Sequence, residues 1–435
     1  MTLPPVYDIL SHGGWRQVKM YPTPPREAGG VPGPFRMIKE DTAPKGAEMA
    51  DGCVNNQLGL YIHIPFCRRK CGYCDFYSLA EAESAVLGEY RDALLLHLRE
   101  SAPFAEGYTV NTVYFGGGTP LLLGNARIAA ILREVEKRFR LSSNTEITLE
   151  ANPESVTLKE YKKIRKAGVN RLSLGVQSLD DRQLARLGRG HTAAEARCAY
   201  DEARRAGFDN ISLDLIYGLP EQTPEQWRDT LREILAWDPE HLSCYNLKLE
   251  PGTPLHGENP ALPDENAQAD MYLDMVRILE EGGLAQYEIS NFAKPARLSR
   301  HNEKYWRLEP YMGFGPAAHS DFSERRYSFV RDLRQYIDGV KNSDEIVEEM
   351  ELCPRRDRAG EYIMLGLRTT RGLSAGEYTR LFQASFDPVE KRLEYFQGKG
   401  FAVREGDRWR LTPKGFLLSN QIIGDLLEQG AGSFA

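Results

Sequence analysis

Leu58-Gly59-Leu60-Tyr61-Ile62-His63-Ile64-Pro65-Phe66-Cys67-Arg68-Arg69-Lys70-Cys71-Gly72-Tyr73-Cys74 is the stretch on which the reading of this chain turns. An apolar strand runs to Ile64, a turn follows at Pro65, and three cysteines come next in the spacing CxxxCxxC. Three thiolates packed that closely grip one small inorganic centre. A four-iron cubane would take one thiolate per iron and keep its fourth iron open to an outside ligand, whereas ordinary ferredoxin clusters use four cysteines. The same residues also allow a zinc site with His63 as fourth ligand. His63 lies within the strand, however, so its side chain is committed to one face.

The surrounding chain narrows the function class. It has 435 residues and a formal net charge of −7, a length that suits one large and one smaller domain. No long basic run offers a footprint for nucleic acid or an anionic membrane. No stretch of about 18 apolar residues would span a bilayer, and the N-terminus lacks the basic and apolar pattern of an export signal. Seven cysteines, three of them clustered, do not form a disulfide framework, so the expected compartment is the reducing cytoplasm. Cys53, Cys198, Cys244 and Cys353 read as isolated packing or surface thiols.

Residues 1–56 are rich in Pro and Gly and sustain no apolar period. They read as a disordered extension or, with Met37 and Met49 just upstream of the first strand, as the product of a misassigned start codon. From Leu58 a strand–helix rhythm begins. Strands are expected at 58–64, 110–115, 146–149, 171–176, 211–217 and 241–247. Apolar residues three or four apart, such as Val86, Tyr90, Leu94 and Leu98, mark the helices between them. Alternating β and α elements imply parallel strands with right-handed crossovers. The expected fold is therefore α/β, a partial (β/α)6 barrel over 57–290, with a Rossmann-like open sheet as the alternative. Residues 291–354 read as a connecting segment with clustered aromatics. Residues 355–435 read as helices followed by a two-stranded wing that turns at Glu405-Gly406-Asp407, a winged-helix-like domain. Its final helix is expected at 415–427.

In parallel β/α folds the active site forms at the carboxyl ends of the strands. There the chain places Gly116-Gly117-Gly118-Thr119 after the second strand, Glu150 after the third and Gln177 after the fourth, with Asp214 inside the fifth. Consecutive glycines let backbone approach a ligand and offer N–H donors to a carboxylate or phosphate.

Five stretches together carry a resemblance: YIHIPFCRRKCGYCDFYS (61–78), VYFGGGTP (113–120), LEANPES (149–155), RLSLGVQSLDDRQLARLGRGH (171–191) and LDLIYGLPEQ (213–222). They are similar to the HemN/HemW branch of the radical S-adenosylmethionine (SAM) superfamily, over about 58–427. The resemblance implies a [4Fe–4S] cluster on Cys67, Cys71 and Cys74, with Tyr61 and Tyr73 lining it. It implies that Gly117, Gly118 and Thr119 meet the methionine end of SAM and that Glu150 meets its ribose. Gln177, Arg189 and Asp214 match the remaining positions near the nucleoside or a second SAM. Arg189 follows a helix, where an arginine is more often solvated.

Within the branch, coproporphyrinogen III dehydrogenases carry one more cysteine two residues after the third. Here that place is Phe76, and the continuation CDFYS resembles the haem-chaperone side. His301-Asn302-Glu303-Lys304-Tyr305-Trp306 matches the HNxxYW motif associated there with haem. It supplies an imidazole able to ligate iron and two aromatic faces for a porphyrin, although each of these residues would ordinarily be structural. His319 is a second candidate. The resemblance therefore implies a haem-binding protein that passes haem to an apo-haemoprotein, with an electron donor as a further partner and neither nucleic acid nor a membrane span. The rival class is a tetrapyrrole-modifying enzyme, of the anaerobilin synthase type or the dehydrogenase type.

Overall fold

The computed structural model describes residues 47–48 and 54–430. Most of the 1–56 extension, with Cys53, lies outside the described residues. Six parallel strands form the core: β1 (Gln57–Ile64), β2 (Thr109–Gly117), β3 (Leu141–Ala151), β4 (Arg171–Gln177), β5 (Ile211–Tyr217) and β6 (His241–Asn246). They lie side by side in chain order, each hydrogen-bonded to the next. A doubly wound sheet reverses direction at a switch point, and this one does not. Crossovers of one hand that always step the same way place their helices on one face of the sheet. The sequential order therefore selects the partial barrel over the Rossmann-like alternative.

Connecting helices are α1 (Ser84–Ser101), α2 (Asn125–Arg138), α3 (Leu158–Lys166), α4 (Ala193–Arg205) and α5 (Pro224–Leu235), with α6 (Glu265–Glu281) after β6. Three of them start from a reciprocal capping box: Thr157 with Glu160, Thr192 with Glu195, and Thr223 with Gln226. Each box satisfies backbone donors that the first helical turn leaves free. The helices therefore begin at set points just beyond the loops that end the strands.

The strands obey a period of two. Leu58, Leu60, Ile62 and Ile64 of β1 are fully buried, as are Leu172, Leu174 and Val176 of β4 and Ile211, Leu213 and Leu215 of β5. Between them stand polar or aromatic groups: Tyr61 and His63 on β1, Thr112 and Tyr114 on β2, Glu146, Thr148 and Glu150 on β3, Arg171 and Ser173 on β4, Ser212 and Asp214 on β5. Strands buried on both faces usually read as continuous apolar runs. Here the inner face of the barrel is polar.

The segment 291–354 is more than a connector. It supplies α7 (Arg300–Trp306) and five of the six strands that extend the sheet to twelve. After β7 (Ala285–Gln286), which pairs with β8 (Asn291–Ala293) beside β6, strand β9 (Tyr311–Phe314) pairs in parallel with β1. Strands β10 (His319–Phe322), β11 (Arg325–Phe329) and β12 (Val347–Leu352) follow as an antiparallel meander. The aromatic residues of this region, among them Tyr311, Phe314, Tyr327 and Phe329, belong to the core.

The C-terminal helices Arg355–Gly366, Ala375–Phe382 and Asp387–Gly398 and the strand pair Ala402–Glu405 and Arg408–Leu411 build the expected winged arrangement, closed by Leu373–Ser374. The last helix is broken at Leu418 into Pro413–Leu417 and Ser419–Gly430. No helix among the described residues is long and apolar enough to cross a membrane.

Helix α7 closes the amino-terminal end of the barrel. The Glu146 carboxylate, on β3, accepts from the N–H groups of Arg300 (3.2 Å) and His301 (3.1 Å) at its start. This is a buried anion at a helix N-terminus, where charge and free donors agree. Glu146→Ala should cost about 2 kcal/mol, read as a lower urea midpoint with the native secondary structure retained.

Candidate functional site

The cysteine loop is held by its backbone. Leu79 N–H donates to Pro65 O (2.7 Å), Cys74 N–H to Cys71 O (3.2 Å), Gly72 N–H to Leu187 O (3.0 Å) and Leu255 N–H to Gly72 O (2.8 Å). Cys67, Cys71 and Cys74 thereby line one cleft at the carboxyl ends of the strands. Cys71 and Cys74 rest on an apolar pad that includes Tyr73, Leu187, Ile216 and Leu247. Burial raises the Cys67 thiol and pushes that of Cys74 up to about 11. A metal centre must displace these protons on binding. Among the described residues no three His, Cys, Asp or Glu side chains converge tightly enough to hold a metal ion as they stand; the sulfurs share a cleft rather than a finished coordination sphere.

His63 does not serve as a fourth ligand. Its Nε2 lies 2.9 Å from Tyr77 O and its Nδ1 3.1 Å from the Tyr61 hydroxyl. A carbonyl only accepts, so Nε2 carries the proton and Nδ1 accepts from Tyr61. Burial holds its pKa down at about 4. Both nitrogens are in use, which removes the zinc alternative's remaining donor.

Gly117, Gly118 and Thr119 line the same cleft, with their backbone donors engaged inside the protein. Gly118 N–H donates to Ile64 O (2.9 Å), Thr119 N–H to Phe66 O (2.7 Å) and Gly117 N–H to Glu150 Oε2 (3.2 Å). These donors are spent within the protein and are not free for a ligand's carboxylate. The absent side chains make room for the cysteine loop instead: a Cβ on Gly118 would fall 2.5 Å from Phe66 O, and one on Gly117, whose φ is +106°, 2.5 Å from the His63 ring.

The other predicted residues come together around this turn. Glu150 Oε1 accepts from the Tyr114 hydroxyl at 2.9 Å, and burial raises its pKa. Asp214 accepts from Ser173 Oγ at 3.0 and 2.9 Å. Gln177 is 3 % exposed, has a left-handed φ of +68°, and leaves Oε1 without a partner. Strained backbone and an unpartnered buried acceptor at one residue are features that collect at ligand sites.

Arg189 is not solvated. It is 9 % exposed, and its guanidinium reaches Cys71 Sγ (3.5 Å), Asn152 Oδ1 (2.7 Å) and Gly175 O (2.9 Å). Asn152, Glu154 and His191 escaped the sequence reading, although they sit inside the motifs quoted. Asn152 also donates to Thr119 Oγ1 (2.8 Å). His191 bridges Glu154 (3.0 Å) and Val176 O (3.1 Å). Burial opposes the Glu154 charge, but the His191 hydrogen bond and the nearby Arg189 outweigh it and hold its pKa near 2.

Three thiols on one loop, the orphaned Gln177 acceptor, and acids at 150 and 214 fit a [4Fe–4S] cluster with SAM. Cys67, Cys71 and Cys74 would hold the cluster, and Glu150, Gln177 and Asp214 the nucleoside. When bound, the cluster supplies an open iron and an electron to the sulfonium.

The HNxxYW residues lie at the opposite end of the barrel. His301 is fully buried; its Nδ1 meets Thr112 Oγ1 (2.9 Å) and its Nε2 the Tyr305 hydroxyl (2.8 Å). Its ring lies 5.1 Å from that of Tyr114 and 6.3 Å from that of Tyr61. Burial depresses its pKa to about 3, so the imidazole is neutral. Trp306 is buried as well, and its Nε1 and the Asn302 Oδ1 have no partner. His319 is half-buried on β10. Glu146, at α7, and Glu150, in the cleft, are four residues apart on β3, about 13 Å of strand.

Cys71→Ser should abolish the broad iron–sulfur absorption after anaerobic reconstitution, and SAM binding with it. An intact cluster in that variant would refute the ligand assignment.

Comparisons with known proteins agree with this geometry. The Radical SAM superfamily model matches residues 61–234, and the HemN C-terminal domain model matches residues 353–418. The heme chaperone HemW of Haemophilus influenzae is 34% identical over 375 residues, 84% of this chain and 97% of that protein. Its Escherichia coli counterpart is 34% identical over 371 residues, 84% of this chain and 97% of that one. A mouse protein, radical S-adenosyl methionine domain-containing protein 1, mitochondrial, is 40% identical over 400 residues, covering 86% of this chain and 88% of its own. Among solved structures, the coproporphyrinogen III oxidase HemN of Escherichia coli matches the fold with a TM-score of 0.75 at 24% identity, over 85% of this chain and 89% of that one. The chain thus belongs to the radical SAM superfamily and, within it, to the HemW family.

Proposed function

We propose that this protein is a haem chaperone: it binds haem, retains a SAM-binding [4Fe–4S] core, and delivers haem to an apo-haemoprotein. Its relatives named heme chaperones span nearly their full length with it, and Phe76 stands where the dehydrogenases place another thiol. Haem would be held through His301, with Tyr305 and Trp306 packing on the porphyrin. Cysteine thiols and an iron–sulfur cluster suit a reducing compartment such as the cytoplasm. A low-potential electron donor completes the set of partners.

The observation that carries the reading is the separation of the two sites along the strands. A radical generated from SAM in the cleft would meet protein, not porphyrin, on the way to α7. A haem at His301 is therefore out of reach of that chemistry, as cargo should be. The cleft and the helix are nevertheless joined through the barrel interior. Glu150 accepts from Tyr114, whose ring packs on His301. Asp214 accepts from Ser212 (3.3 Å), Ser212 meets His241 (2.7 Å), His241 meets the Tyr287 hydroxyl (2.7 Å), and that hydroxyl accepts from the N–H of Ser299 (3.4 Å), which leads into α7. These contacts suit a sensing or release role for the cluster and SAM.

To ligate iron through one nitrogen, His301 must give up one buried hydrogen bond, worth about 1 kcal/mol net, and because the ring is fully buried, haem entry requires α7 to move outward. Trp306 Nε1 and Asn302 Oδ1 are unpartnered at that end of the barrel. The enzyme reading draws on the intact cleft and needs a tetrapyrrole there instead of at α7.

His301→Ala should weaken haem binding about tenfold or more in a spectroscopic titration and leave the reconstituted cluster unchanged. An unaltered affinity and haem spectrum would place haem elsewhere, with His319 the next residue to replace.

A further inference from the structure

Between the first two cysteines the loop carries Arg68, Arg69 and Lys70, all exposed and all at the mouth of the cleft. None forms an ion pair with any described residue, although acids outnumber bases, 62 to 55, in the whole chain. Cations nearby are paired: Arg186 with Glu221 (3.2 Å), Arg182 with Asp180 (3.2 Å) and Lys248 with Glu250 (2.8 Å). Between Pro65 and Ser78 the only acid is Asp75. Arg69 packs its guanidinium against the backbone at Gly190, where a Cβ would fall 2.2 Å from Nη2. The loop just beyond the trio is anchored at Gly72 by hydrogen bonds with Leu187 and Leu255.

The inner side of the loop is closed by the apolar pad beneath Cys71 and Cys74. A donor protein can therefore come near the cluster loop from its exposed side, where these three cations stand. We infer that Arg68, Arg69 and Lys70 form the docking surface for an acidic one-electron donor protein. This rests on the cluster assignment and on the electron donor invoked above. The donor is oxidised by one electron as the cluster is reduced by one, with no bond made or broken. Opposite charge on the two surfaces steers encounter and raises the association rate, an effect that salt suppresses.

The test uses the full chain with flavodoxin as the acidic probe and the triple variant Arg68→Gln/Arg69→Gln/Lys70→Gln. Two quantities are read: binding of oxidised flavodoxin to the cluster-free chain, and the rate at which flavodoxin hydroquinone reduces the reconstituted cluster. The expected result at low salt is a loss of at least about tenfold in both, within the range typical of steering, with the salt dependence flattened. Reduction by a small uncharged mediator should stay unchanged. A charge-retaining Arg68→Lys/Arg69→Lys variant should keep the wild-type values, which separates charge from damage to the loop. Equal flavodoxin binding and rate in the wild type and the glutamine variant would overturn the proposal. Failure of the wild type to bind haem would remove the chaperone reading and leave this result standing.

Discussion

Polar groups on the inner face of the barrel have to be satisfied without water, and much of the architecture follows from that requirement. An unpartnered buried polar group costs on the order of 1–3 kcal/mol, and a buried unpaired charge costs more. Glu146 and Thr112 meet the demand at the amino end by bonding to α7, and Ser212 by bonding to His241, which meets the hydroxyl of Tyr287. Tyr61 and Tyr114 fill the middle, each with its hydroxyl on a polar partner. Unpartnered atoms remain at both ends, Gln177 Oε1 at the carboxyl end and Asn302 Oδ1 with Trp306 Nε1 at α7. What distinguishes the ends is access: the carboxyl end opens into a cleft, whereas the α7 residues His301 and Trp306 are buried.

That difference in access orders the proposed function. In it, SAM and its cluster take the open end, where thiols, glycines and acids converge on one cleft. The HNxxYW helix lies at the covered end, where His301 bonds to Thr112 on β2 and its N–H to Glu146 on β3.

Much of this was legible in the sequence because it is local. The six core strands and the winged C-terminal region announce themselves by period and by turn residues, and Gln177 and Glu150 by their place after a strand. Neighbour order in the sheet is not local, so the partial barrel and the Rossmann-like sheet looked alike until the pairing was known. Strands β9 to β11 are four or five residues long, too short to show a period among clustered aromatics. The depth of His301 was hidden for a related reason: its contacts come from Gly59, Thr112 and Glu146, far away in the chain. The spent glycine N–H groups and the buried Arg189 depend likewise on how the cysteine loop folds back over β2 and β4.

The most direct measurement is anaerobic incubation of the reconstituted protein with SAM, dithionite and haem, followed by chromatography of haem and 5′-deoxyadenosine. With haem at the closed end of the barrel, haem should be recovered intact, and any cleavage of SAM should be slow and indifferent to it. Loss of haem in step with 5′-deoxyadenosine would contradict the account and place the tetrapyrrole in the cleft as a substrate.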